Sequence, residues 1–70
     1  MIHVQLVTIE RAAVGIVAQQ PEGSFRFYAI ERAFTALEGA VFDTAEKARA
    51  AALRLADELD ASFLRLAVRL

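Results

Sequence analysis

The chain has 70 residues, of which 57% are hydrophobic and 24% charged, and its formal net charge is −1. This composition excludes a disordered tail, which combines low hydrophobicity with high net charge, and the length allows one small domain, residues 1–70, with a limited core. The near-neutral charge provides no overall basic field, and the absence of cysteine excludes a disulfide framework and a thiolate zinc site.

The first two predicted elements are strands. Apolar and polar residues alternate at the start of the chain with the period of a half-buried strand, with Ile2, Val4 and Leu6 set against His3 and Gln5. The alternation fails at Val7 and Ile9, which indicates either that both faces are covered there or that the strand contains a bulge. Residues 14–19 form the second predicted strand, and residues 10–13 are expected to be the connecting turn.

Residues 20–24 carry the clearest turn signal. Pro21 presets the φ angle of a turn residue, and Gly23 accepts the positive φ that a three-residue hairpin loop requires. If the residues on either side of this loop face each other, Val17 lies opposite Phe27 and Ile16 opposite Tyr28. We therefore expect a third strand from residue 25 to about residue 34.

The two faces of this third strand differ in chemistry. One face is mainly apolar and is expected to meet a helix, through Phe25, Phe27, Ala29 and Ala33. The other face mixes aromatic, aliphatic and cationic groups, and it contains the candidate interaction residues Arg26, Tyr28, Ile30, Arg32 and Phe34. We expect this second face to meet solvent or a partner.

A helix is predicted after a further turn at residues 37–39 and a short apolar segment at residues 40–42. Asp43 or Thr44 serves as its N-cap, and Asp43 with Glu46 has the spacing of a capping box. The residues that follow are strong helix formers. One stripe of this helix is apolar and faces the sheet: Ala45, Ala48, Ala52, Leu55, Ala56 and Leu59.

Residues 61–70 fit two patterns. As a strand, Leu64, Leu66, Val68 and Leu70 alternate with the residues between them; as a helix, Phe63, Leu66, Ala67 and Leu70 continue the preceding stripe. One uninterrupted helix would be about 40 Å long and would extend past a small sheet, so we favour the strand. The predicted fold is α+β: a three-stranded antiparallel meander, one packed helix and a C-terminal strand (β-β-β-α-β).

The segment Phe42-Asp43-Thr44-Ala45-Glu46-Lys47-Ala48 resembles the strand-to-helix transition of the arm-type DNA-binding domains of tyrosine recombinases and of plant AP2 domains. Those domains also place three strands before a helix. The resemblance implies a helix start, and it implies DNA binding only with a surplus of positive charge on the sheet. This chain lacks that surplus, since eight Lys and Arg residues face nine Asp and Glu residues.

Groups able to carry out chemistry are few and scattered. His3 is the single histidine, and no histidine or carboxylate stands at a metal-ligand spacing from it. The carboxylates Asp57, Glu58 and Asp60 have the pattern of a solvated helix end, and no glycine pattern suits a phosphate. We therefore expect no enzyme activity, no cofactor and no metal.

The apolar content exceeds what one helix over a small sheet can cover, and such surplus surface marks association. The sequence therefore predicts a protein-interaction module that forms a homo-oligomer or binds a protein partner. The alternative is a small nucleic-acid-binding or regulatory module that uses Arg26, Tyr28 and Arg32. The sequence shows neither the basic start and long apolar stretch of a signal peptide nor a segment that could span a membrane. We therefore expect a cytoplasmic protein without a membrane partner.

Overall fold

The fold is α+β, an antiparallel meander followed by one long helix. It was obtained as a computed structural model, which describes the backbone of residues 3–68 and the side chains of residues 3–59. The elements in chain order are β1 (Val4–Ile9), β2 (Ala12–Gln19), β3 (Phe25–Ala29), a 3₁₀ helix (Arg32–Leu37), β4 (Val41–Phe42) and α1 (Ala45–Val68). The predicted meander and packed helix are confirmed, and the sheet has a fourth strand, β4, where only an apolar approach to the helix was expected.

The first hairpin turns on two residues. Glu10 and Arg11 both have positive φ, 51° and 71°, which is the pattern of the tight turn whose twist matches that of paired strands. The pairing of β1 with β2 shifts between Val7 and Thr8, so that Val14 is an extra residue in β2. The extra residue lies in β2 and not in β1, so the break in alternation at Val7 reflects apolar residues on both faces of β1, and Val14 is buried in the core.

The second hairpin has the predicted geometry. The backbone N–H of Gln20 donates to the carbonyl of Ser24 (2.7 Å), and Gly23 adopts a φ of 102°. The expected register is confirmed, since Val17 pairs with Phe27 and Ile16 with Tyr28.

The third strand is shorter than predicted, because it ends at Ala29 and the chain then enters the 3₁₀ helix. The backbone N–H groups of Ile30 and Glu31 both donate to the carbonyl of Val14 (2.9 and 3.2 Å). Because Val14 is the bulged residue of β2, the regular hydrogen-bond pattern between β2 and β3 ends at this point. The expectation that residues 30–34 continue the strand is wrong.

The helix begins as the sequence indicates. The N–H of Lys47 donates to the Thr44 hydroxyl (3.1 Å), so Thr44 is the N-cap, and the Asp43 side chain instead lies 3.5 Å from the Lys47 ammonium. The predicted stripe faces the sheet as far as Ala56, with Ala48 and Ala52 fully buried, whereas Leu59 is exposed and the expectation for it is wrong. No described helix is both long enough and apolar enough to cross a bilayer.

The C-terminal strand is not formed, because α1 continues to Val68. Residues 60–62 contain neither glycine nor proline, and the leucine, alanine and arginine that follow favour a helix locally. At 24 residues the helix is about 36 Å long, and the molecule measures 50 × 19 × 17 Å. The side chains of residues 60–68, and residues 69 and 70 entirely, lie outside the described part of the chain.

The core lies between one face of the sheet and α1. Its buried residues are Val7, Val14, Val17, Phe27, Phe34, Ala48 and Ala52. Phe27 is completely buried against the backbone of Gly15, which lies on the neighbouring strand. The alanines of α1 bring the helix close to the sheet, and the phenylalanine rings fill the remaining space.

Candidate interaction surface

The face of the sheet opposite to α1 carries the candidate site, and we call it the outer face. Residues that pair directly across strands share a face, so the register defines two rows of side chains. The first row is Val4, Ala18, Arg26 and Val41, and the second row is Leu6, Ile16 and Tyr28. Arg26 is the one charged residue in these rows.

The outer face is apolar and uncovered by any described element. Leu6 is 60% exposed, Val4 55% and Tyr28 40%, whereas their neighbours on the inner face, Val17 and Phe27, are buried. Exposed apolar residues are ordinary when they are scattered, but a contiguous set on a small domain marks association.

The structure brings together three of the five predicted interaction residues. Arg26 and Tyr28 lie on the outer face through β3, and Ile30 is exposed directly after that strand. Arg32 is exposed but belongs to the 3₁₀ helix, so it is not on the face of β3 as expected. The prediction that Phe34 lies on the interaction face is wrong, because the 3₁₀ helix turns its ring into the core and leaves it 6% exposed.

Sequence reasoning missed the contributions of β1 and β4 to this surface. The alternation of Val4 and Leu6 correctly marks an apolar side of β1, but that side is the outer face. Val7 and Ile9, at which the alternation breaks, are the residues of β1 that reach the core. The bulge of β2 adds to the inner side, because it brings both Val14 and Val17 of β2 into the core.

Arg26 gives the outer face its electrostatic character. Its Nε is buried and has no hydrogen-bond partner, while nearby Glu22 remains in solvent. The Ser24 hydroxyl, which donates to the Glu22 carboxylate (2.7 Å), lowers the pKa of Glu22 below its ordinary value, and Arg26 lowers that pKa further. One N–H of the guanidinium is therefore removed from water without a compensating hydrogen bond.

The two edges of the sheet differ. On the β3 side, Phe27 exchanges hydrogen bonds with residues 39 and 40 (2.9 Å each), and the Ala29 N–H donates to the Glu38 carboxylate (2.7 Å). On the β1 side, no element within residues 3–68 pairs with the strand. Residues 38–42 therefore cover β3, and the edge strand on that side, β4, has only two residues, whereas the edge formed by β1 is six residues long and open.

Two shallow grooves flank α1. The first, of about 150 Å³, is lined by Ile9, Glu10, Val14, Phe34, Ala56 and Leu59. The second, of about 190 Å³, lies between the 3₁₀ helix and α1. Among the described residues, no group of three or more histidines and carboxylates is placed to hold a metal ion.

Comparison with protein-family models, with curated proteins and with solved structures gives no match to this chain. The function proposed below is therefore argued from the chain's own geometry. The outer face and the open edge of β1 are the features on which it rests.

Proposed function

We propose that this domain is a non-enzymatic interaction module that associates with a second copy of itself through the apolar surface around β1 and the outer face. The observation that carries the proposal is the uncovered apolar sheet, with Leu6 and Val4 as its most exposed members. A cytoplasmic location and the lack of a cofactor, both expected from the sequence, stay predictions.

The molecule exposes more surface than a compact monomer of its mass. A folded monomer of 7.7 kDa exposes about 4,300 Å², whereas this chain exposes 5339 Å². The difference accompanies an elongated shape, 50 × 19 × 17 Å, that leaves one side of the sheet uncovered. The radius of gyration, 13.4 Å, likewise exceeds the ~11 Å of a compact chain of this length.

A second copy fits this surface better than a charged partner does. The strand β1, at the edge of this surface, contains no charged residue, so two copies meet along it without like-charge repulsion. A small domain also gains stability from a subunit that binds only its folded form. Self-association therefore adds stability that the small core does not provide by itself.

The test is the oligomeric state of matched variants in sedimentation equilibrium, from low micromolar to near-millimolar concentration. Burying a leucine contributes about 1.5–3 kcal/mol, and Leu6 is 60% exposed, so each copy contributes about 1–2 kcal/mol. Leu6→Lys occurs twice in a symmetric dimer and should weaken it about 30- to 700-fold.

Leu53→Lys is the control, because Leu53 is similarly exposed but lies on α1, away from the outer face. It should leave the association unchanged. A wild-type chain that stays monomeric throughout this range would refute self-association.

Nucleic-acid binding is the second candidate, and the shared face of Arg26 and Tyr28 favours it. An aromatic ring beside a guanidinium can stack on a base and contact a phosphate. A gel shift at low salt tests this candidate, with Arg26→Ala expected to abolish any shift. Arg49→Ala, on exposed α1 surface, is the matched control.

A further inference from the structure

We infer that two copies pair edge to edge through β1, antiparallel about a twofold axis, and so form one continuous eight-stranded sheet. This inference rests on the proposed self-association and specifies its geometry. The open edge of β1 is the observation that leads to it, because the opposite edge strand, β4, has only two residues and offers little backbone for pairing.

The backbone groups of β1 are arranged for such pairing. The Gln19 N–H donates to the His3 carbonyl (2.8 Å), and hydrogen-bonded pairs alternate along an antiparallel ladder. The N–H and C=O groups of Val4, Leu6 and Thr8 therefore point away from β2. These are the groups that a second strand would bind.

Natural proteins usually protect an open edge with lysine, proline, an inward-pointing charge or a bulge in the edge strand. The sequence of β1, Val-Gln-Leu-Val-Thr-Ile, contains no charge and no proline, and the extra residue of the bulge belongs to β2. An uncharged strand also meets its own copy without like-charge repulsion. Nothing in β1 opposes pairing.

One register uses all three edge-facing residues. With Leu6 opposite Leu6 of the second copy, Val4 lies opposite Thr8 in both directions, which gives about six inter-strand hydrogen bonds. The same register places the two Leu6 side chains side by side. It therefore covers part of Leu6, the most exposed large apolar side chain among residues 3–59.

Arg26 decides between this arrangement and packing of two outer faces against each other. Face-to-face sheets lie about 10 Å apart, and closing them would remove two guanidinium groups from water. The Arg26 Nε already lacks a partner, and the two rows of the outer face contain no carboxylate to compensate that desolvation. Edge pairing leaves Arg26 at the solvent boundary.

The first experiment is cross-linking, for which the chain is suited because it contains no cysteine. In the edge dimer the two Leu6 Cα atoms are about 5.5 Å apart, within the range of a disulfide. Leu6→Cys should therefore form a covalent dimer when oxidised glutathione is supplied. Val41→Cys, on the same face but at the far edge, should not.

The second experiment measures a distance in solution. Spin labels on Val41→Cys should be about 30–35 Å apart in the edge dimer, since three strand spacings separate Val41 from the interface on each side. A face-to-face dimer would place the same labels within about 20 Å. A short distance in a chain that sediments as a dimer would overturn edge pairing and leave self-association standing, whereas a monomer would overturn both.

A backbone variant gives a third readout. Thr8→Pro removes an N–H that faces the open edge and leaves the ladder with β2 intact, so the dimer should weaken by at least about tenfold. Thr8→Ala retains the N–H and should associate like the parent chain. Equal association of the two variants, both folded by circular dichroism, would contradict the inference.

Discussion

Gly15 is the position at which the packing of the sheet is most sensitive to one added atom. A Cβ at Gly15 would collide with the ring of Phe27 and approach the Tyr28 carbonyl oxygen to 2.8 Å. The ring is completely buried, and the oxygen belongs to the backbone of the paired strand. Neither neighbour can move without disturbing the core or the ladder.

The expected cost of Gly15→Ala follows from two opposing contributions. Replacing glycine within a strand ordinarily stabilises by about 0.5–1 kcal/mol through the unfolded chain. Overpacking a filled core costs about 1–3 kcal/mol, and contact with backbone favours the upper end of that range. The net loss should be about 1–2.5 kcal/mol, which lowers the Tm of a domain of this size by about 5–20 °C.

The assay is urea denaturation at a concentration low enough to keep the chain monomeric, because association would add to the apparent stability. Gly23→Ala is the comparison, since nothing lies within 4 Å of its added atom and its cost of about 1–2 kcal/mol comes from positive φ alone. A Gly15→Ala chain as stable as the parent would show that Phe27 does not lie against Gly15 as described.

Three further changes test separate parts of the fold. Thr44→Ala should destabilise by about 1 kcal/mol because it removes the helix cap, whereas Thr44→Ser should retain most of the stability; thermal unfolding measures both. Glu38→Ala should cost about 0.5–1 kcal/mol through loss of the acceptor for Ala29, and Glu38→Gln should restore it; equal urea midpoints would contradict that role. Replacing Glu10 with Asn and Arg11 with Gly should stabilise by about 1 kcal/mol, since these residues suit positive φ; a lower Tm would argue against the turn.

Part of the fold follows directly from local chemistry. Pro21 and Gly23 determine the second hairpin, and that loop in turn fixes Val17 opposite Phe27. Thr44 and the helix formers after it determine where α1 begins. In each case a few neighbouring residues carry the whole signal.

Other features depend on contacts that no local pattern reveals. Residues 30–34 alternate like a strand, but the bulge at Val14 ends the ladder and Phe34 then enters the core. Glu10 and Arg11 form a tight turn without the usual asparagine or glycine, because the pairing on either side holds them there. The small size of the sheet does not limit the helix, since α1 continues to Val68.

The order β1-β2-β3-β4 has a consequence for how the chain acquires its structure. Every strand pairs with its neighbour in sequence, so only short loops must close before the hairpins form, and small domains of mixed composition with such local contacts reach the native state in about milliseconds. During synthesis the strands leave the ribosome before α1 is complete. Until the helix docks, both sides of the nascent sheet are bare, and this interval is when the chain is most exposed to aggregation.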